Sequence, residues 1–392
     1  MKQKIQSTLL TLCVALSLLC AESCTDEIPH PDPIQEGNTV IIYMGAENSL
    51  STYSNSDLFE IEDALDRIPE NCQVVVFRDS ELKPTIIHFT KKGRTTWKEY
   101  KEEINSADAK NVESILKEII QAFPSKKYSL VLWSHGSGWI DQTRSIQRSI
   151  IIDNNKNNYN NTGTWLHISE LADILSRLPQ MEYIMFDACY MQSAEVASEL
   201  YPYCKHIIGS PTEIPGNGAP YHVIMTALCK ADVQGIIEGY ASEYPQNNGV
   251  ALSAISSANF IAFCEETAKY IPTTFTKSDM PSTQDIQIYA PTKLINQMPI
   301  PYDMRSAMHK LLNEEDFKHW DEQWQKTIQY PYCAKKWETI HSGSSHCTLT
   351  DPEHYGGISI NIPDENHQQY GWDTMFRKTS WYNLAGWNIT GW

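Results

Sequence analysis

After its first twenty residues the sequence has no apolar run long enough to cross a bilayer, which excludes an integral helical membrane protein. It has no pair of cysteines at CxxC spacing, which excludes the commonest paired-cysteine zinc site. Low-complexity tracts and internal repeats are also missing, so neither a solenoid nor a disordered array is expected. Basic residues are scarce. The chain holds 31 Lys and Arg against 48 Asp and Glu, a net charge of −17. A protein that binds nucleic acid without regard to sequence needs a basic footprint, and this one has none. What is present is a globular composition, with 41% apolar residues among 392, enough for a sizeable core. An acidic body of this kind suits cationic substrates.

The N-terminus reads as an address. Lys2 and Lys4 precede a short apolar stretch at 9–19, followed by Leu18-Leu19-Cys20-Ala21-Glu22-Ser23-Cys24. This resembles a bacterial lipoprotein signal peptide spanning 1–23, with Cys24 as the acylated residue behind the small Ser23. Cys20 is the alternative, behind the bulkier Leu19. Residues 24–37 hold three prolines and read as a tether. Thr25-Asp26-Glu27 resembles surface-export signals, so the expected location is the cell envelope, at the outer membrane, facing outside or the periplasm. Seven cysteines then remain: Cys72, Cys189, Cys204, Cys229, Cys264, Cys333 and Cys347. Seven is odd, so at least one thiol stays free even in an oxidising compartment.

From residue 38 the pattern is α/β. Strands are expected at 40–44, 74–77, 86–89, 128–133, 183–186 and 206–209, and helices from about 57, over 112–120, from 169 to 178 and near 191. The strands are continuous apolar runs, which indicates a mostly parallel sheet covered by helices on both faces. A catalytic core is therefore placed at 38–215, with 216–392 completing the fold through further helices, a strand at 249–255, a helical stretch at 305–327 and a late strand near 355–363. The tail tryptophans Trp372, Trp381, Trp387 and Trp392 are expected to pack on the body. The stretch 138–165 reads as a polar loop.

Two strand ends carry reactive groups. His135 follows the strand 128–133 in Trp133-Ser134-His135-Gly136, and Cys189 follows the strand 183–186 in Asp187-Ala188-Cys189. Functional groups of a parallel sheet gather beyond the carboxyl ends of its strands. A thiol attacks as thiolate, and an imidazole beside it supplies and returns the proton. The N–H groups of Gly136 and Cys189 can hold a developing oxyanion, each worth about 10²–10³ in rate.

These segments resemble the clostripain family of caspase-like cysteine peptidases. The similarity is carried by residues 40–47 (VIIYMGAE), 130–139 (LVLWSHGSGW), 184–193 (IMFDACYMQS), 209–221 (GSPTEIPGNGAPY) and 356–363 (GGISINIP). Cys189 follows His135 by 54 residues (189 minus 135), matching the caspase-like separation of roughly 50. The resemblance implies a caspase-like sandwich with C-terminal α/β additions, and a His135–Cys189 dyad. It also implies that Asp187 binds Arg or Lys at P1 of peptide or protein substrates. Self-cleavage in the 138–165 loop is implied too, with Arg148 favoured over Arg144 and Lys156, and calcium is a possible cofactor. No metal site is legible: the run from Asp153 lacks glycine at position six and an acid at position twelve, and His341, His346 and Cys347 match no standard spacing. Competing readings are a peptidase of other P1 specificity and a silent envelope lipoprotein that binds protein or glycan.

Overall fold

The strands lack alternation because both faces of the sheet are covered. A computed structural model describes residues 34–140, 149–154, 163–290, 298–339 and 345–392, all within one unit, Asp32–Trp392. The strands are β1 (Ile34–Gly45), β2 (Cys72–Asp79), β3 (Thr85–Thr90), β4 (Gly93–Glu99), β5 (Ser125–Trp133), β6 (Ile150–Asp153), β7 (Thr164–Leu166), β8 (Met181–Asp187), β9 (Cys204–Gly209), β10 (Ala251–Ser256), β11 (Pro301–Asp303), β12 (Ile328–Cys333), β13 (Lys336–Thr339), β14 (Ser345–Thr348) and β15 (Ser359–Asn361). Nine form one sheet in the order β12-β10-β9-β8-β5-β1-β2-β3-β4. Its centre, β9-β8-β5-β1-β2, is parallel. Antiparallel strands close both edges.

Side chains of each central strand alternate between two cores. Ile41, Tyr43, Leu130, Leu132, Ile184 and Phe186 point to one. They meet α2 (Ala109–Ala122), α3 (Ile168–Leu175), α4 (Ala194–Leu200) and α7 (Ser257–Thr267). Val40, Ile42, Val131, Trp133, Tyr183 and Met185 point to the other, under α1 (Ser51–Asp63), α5 (Tyr221–Lys230) and α6 (Val233–Ser242). Fully burying one such side chain stabilises by about 1.5–3 kcal/mol, so this two-faced apolar run outweighs any local preference. The sheet is the α/β sandwich expected, and the C-terminal β10 and β12 extend it. Trp372, Trp381, Trp387 and Trp392 are buried, as expected of core packing.

Three local expectations are corrected and one unforeseen strand is added. Helix α1 begins at Ser51, six residues before the expected start. Its first turns are polar, but Ser54 and Asp57 face inward, where they meet Arg78 and Trp133 by hydrogen bond. The edge strand β4 had no apolar signal because it is largely exposed. The polar stretch 138–165 contains the hairpin strands β6 and β7. The helical stretch at 305–327 is two helices, α8 (Met304–Leu311) and α9 (Glu314–Thr327), separated where Asn313 caps the second.

Candidate active site

Strands β5 and β8 are parallel neighbours, with Trp133 in register with Asp187. His135 and Cys189 each lie two residues beyond that pair, so the sheet brings them to one edge. The loops that carry them touch: a Cβ on Gly136 would sit 2.7 Å from the Cys189 carbonyl oxygen. Only glycine allows that approach. Two further contacts fix the histidine loop. The His135 carbonyl accepts from the Ile151 N–H at 3.2 Å, and the Ser137 N–H donates to Ser149 at 2.9 Å. Hairpin strand β6 therefore holds the loop in place. His135 Nε2 lies 2.8 Å from Ser49 Oγ, on the loop after β1. Ser49 escaped sequence reasoning, since nothing in its polar surroundings marks it; only the neighbouring positions of β1 and β5 in the sheet bring it to the histidine.

Cys189 is partly buried. Its sulfur accepts from the Ile214 N–H at 3.3 Å. Tyr190 takes a left-handed conformation (φ 61°), and its N–H donates to Thr212 at 2.9 Å, so the turn around the cysteine is held by the loop after β9. Burial pushes the thiol up to about 12, with the charges of Glu213 and Asp187 adding to the effect and the Ile214 N–H opposing it. The resting sulfur is thus a neutral thiol. Among the described residues, no carbonyl accepts from the N–H of Gly136 or Cys189.

Asp187 is buried below the loop after β9. One carboxylate oxygen accepts from the Ala219 N–H (3.0 Å) and the Tyr221 hydroxyl (3.1 Å), the other from the Tyr240 hydroxyl (3.2 Å). Gly218, at φ +61°, passes so close that a Cβ would lie 2.8 Å from the carboxylate. Burial raises Asp187 to about 6 despite these bonds. Nearby Asp57 accepts from the Trp133 indole N–H at 2.6 Å, and burial followed by the Asp187 charge raises it to about 9. Burial and repulsion thus favour the protonated form of Asp57 more than that of Asp187. Asp57 was another residue the sequence did not single out.

Cys20, Cys24, Arg144, Arg148, Lys156 and His341 lie outside the described residues. Cys347 is buried and His346 exposed, and neither joins a cluster of metal-ligating groups among the described residues. His309, Asp351 and His354 do cluster, but the two imidazoles stack at 3.4 Å and 10°. Their lone pairs lie in parallel planes and cannot meet on one ion. All seven cysteines of the body are free.

A parallel sheet with a histidine and a cysteine side by side at its carboxyl edge is the layout of caspase-like cysteine peptidases. Residues 42–392 match the model of the clostripain family, peptidase C11, and the chain belongs to that family of cysteine peptidases. A secreted C11 cysteine protease of Bacteroides thetaiotaomicron, solved with an irreversible peptide inhibitor, superposes with a TM-score of 0.77 at 27% identity, covering 90% of this chain and 99% of that one. An inactive zymogen C11 protease of Parabacteroides distasonis gives 0.76 at 26% identity, over 89% and 98%. Clostripain of Hathewaya histolytica is 27% identical over 103 residues, which is 26% of this chain and 20% of that protein's length.

Proposed function

We propose that the protein is an exported cysteine endopeptidase that cleaves after Arg or Lys, with Cys189 as nucleophile and His135 as its proton-transfer partner. The observation that carries this reading is the register of β5 and β8, which sets the two residues level at one sheet edge. His135 takes the thiol proton, and the sulfur attacks the scissile carbonyl carbon. The oxyanion is met by the N–H groups of Gly136 and Cys189. His135 returns the proton to the departing amine, leaving a thioester that water, deprotonated by the same imidazole, hydrolyses. Asp187 reads the P1 cation: it is buried, and no basic side chain among the described residues forms an ion pair with it. An inhibitor of peptide type on the B. thetaiotaomicron relative supports a peptide substrate. A silent binding protein is disfavoured because His135, Gly136, Asp187 and Cys189 are all present.

The test is a panel of fluorogenic peptides with Arg, Lys, Leu or Asp at P1, run on the mature protein and on Cys189→Ala. Turnover of the Arg and Lys peptides alone, absent from the variant, is expected. Cleavage after Leu alone removes the assigned role of Asp187, and no turnover of any peptide returns the protein to the binding class. Electrophoresis of the same two preparations reads self-cleavage after Arg148, Arg144 or Lys156; matching fragments in both exclude it.

Export rests on the N-terminal signal and on a relative described as secreted. Among the described residues no helix is long and apolar enough to cross a membrane. Lipid on Cys24 would hold the body at the envelope. Cells fed labelled palmitate are expected to label the parent and Cys20→Ala but not Cys24→Ala; the reverse pattern moves the anchor to Cys20.

A further inference from the structure

The imidazole of His135 is half-buried at the rim of the sheet, where a ring on two rotatable bonds has several orientations open to it. The Ser49 hydroxyl meets its Nε2 at 2.8 Å, a full hydrogen bond whichever atom carries the proton. Ser49 itself is exposed. What the contact can do therefore depends on how firmly the backbone beneath it is held.

That backbone is pinned on both sides. Asn48, the preceding residue, is buried. Its side-chain amide donates to the carbonyls of Gly45 at 2.9 Å and Ile152 at 3.0 Å, and its oxygen accepts from the Leu50 N–H at 2.9 Å. The Ser51 N–H, where α1 begins, donates to the Asn48 carbonyl at 3.1 Å. The histidine segment is tied to the same two points. Ser134, next to His135, donates to the Gly45 carbonyl at 2.7 Å and accepts from the Ile152 N–H at 3.3 Å. Asn48 and Ser134 also meet each other, at 3.4 Å. Ser49 and His135 are thus each one residue away from a buried polar network that joins the loops after β1 and β5 to β6. Such a network is rigid because its members satisfy one another.

We propose that Ser49 is a positioning residue for His135: its hydroxyl oxygen accepts the Nε2–H, which fixes the ring and leaves Nδ1 to exchange the proton with Cys189. This role rests on the His135–Cys189 pairing proposed above. The direction of the hydrogen bond follows from the proton count. To take the thiol proton, the nitrogen facing the sulfur must offer a lone pair, so the neutral ring carries its one N–H on the other nitrogen. After transfer the ring is an imidazolium with both nitrogens protonated, and an oxygen lone pair at Nε2 serves it in both states. A hydroxyl proton aimed at Nε2 would instead leave the N–H on Nδ1, facing a thiol whose proton nothing could accept. The proton passes from Sγ to Nδ1, and Ser49 keeps its own throughout. The arrangement resembles the orienting carboxylate of a serine-protease triad, with a neutral oxygen in place of the charge. Its contribution is therefore orientation more than basicity.

Two rates are measured across pH 5–9 in the mature parent, Ser49→Ala, Ser49→Thr, Ser49→Asp and His135→Ala: turnover of an arginyl peptide, and alkylation of Cys189 by iodoacetamide, read by mass spectrometry. Ser49→Ala is expected to lower kcat about tenfold with KM unchanged, and to slow alkylation by a similar factor. Ser49→Thr keeps the hydroxyl and is expected to recover roughly half the parent rate or more. Ser49→Asp sets a carboxylate against the Nε2–H and favours the imidazolium, so the acid limb of both profiles is expected to rise by about one pH unit. The position is exposed, so thermal midpoints should stay within about 2 °C of the parent. Parent rates in Ser49→Ala would overturn the proposal. So would a threonine variant as slow as the alanine one, an unmoved acid limb in Ser49→Asp, or a midpoint so lowered that unfolding explains the lost rate. Alkylation needs no peptide, so Ser49 is tested even if no peptide is cut. Equal alkylation of the parent and His135→Ala would sink the dyad and Ser49 with it, whereas slow alkylation of His135→Ala beside an unaltered Ser49→Ala would remove Ser49 alone.

Discussion

Cys189→Ala is expected to lose hydrolysis of arginyl and lysyl peptides by about 10⁴-fold or more, since removing the nucleophile of such a pair disables it as a unit. The fold should survive. The lost sulfur is one acceptor for the Ile214 N–H, worth about 1 kcal/mol, which in a chain this large moves the thermal midpoint by only a few degrees. His135→Ala separates the two partners' roles through pH. With the thiol pushed up to about 12, the spontaneous thiolate fraction at pH 7 is on the order of 10⁻⁵. The reactive form is the deprotonated one, so an unassisted thiol gains about tenfold in rate per pH unit across pH 7–10. The parent, whose imidazole takes the proton, is expected to stay nearly flat between pH 7 and 9. Measuring kcat/KM of both proteins across that range decides the matter. A flat profile in His135→Ala, or activity above a tenth of the parent, would remove His135 from proton transfer.

How much of this was legible in the sequence follows from what each signal depends on. The central strands were legible because burial on both faces leaves an unbroken apolar run, as at Val40, Ile41 and Ile42. His135 and Cys189 were legible because each directly follows such a run. Features whose meaning lies across the chain were not. The polar first turns of α1 look like a loop until Arg78 and Trp133 are seen to donate to Ser54 and Asp57. Ser49 reaches His135 only because β1 and β5 are neighbours. The hairpin of β6 and β7 is two short strands in an Asn-rich stretch, and the run Ile150-Ile151-Ile152 alone was too short to mark it.

Asp187→Asn is expected to lower kcat/KM for arginyl and lysyl peptides by about 10²–10³-fold, the cost of leaving a P1 cation without its buried counter-charge. The comparison that isolates the charge is the ratio of an arginyl peptide to its neutral citrullyl isostere. In the parent this ratio should also depend on pH. Asp187 has its carboxyl raised to about 6, and protonation removes its charge, so the preference is present above pH 6 and falls about tenfold per unit below it. Asp57, raised to about 9, stays protonated throughout and contributes no step. In Asp187→Asn both the preference and its pH dependence should vanish together. A purely structural carboxylate makes a different set of demands. Asparagine's one oxygen can still accept from the Ala219 N–H and the Tyr221 hydroxyl, but its amide nitrogen cannot accept from the Tyr240 hydroxyl. That role predicts a lowered thermal midpoint with the arginyl-to-citrullyl ratio intact, and finding it would sink the P1 assignment. The tyrosines fit the binding role as well: with the Ala219 N–H, their donation to Asp187 opposes burial and holds its carboxyl to about 6, so a P1 cation at neutral pH would meet a charged carboxylate.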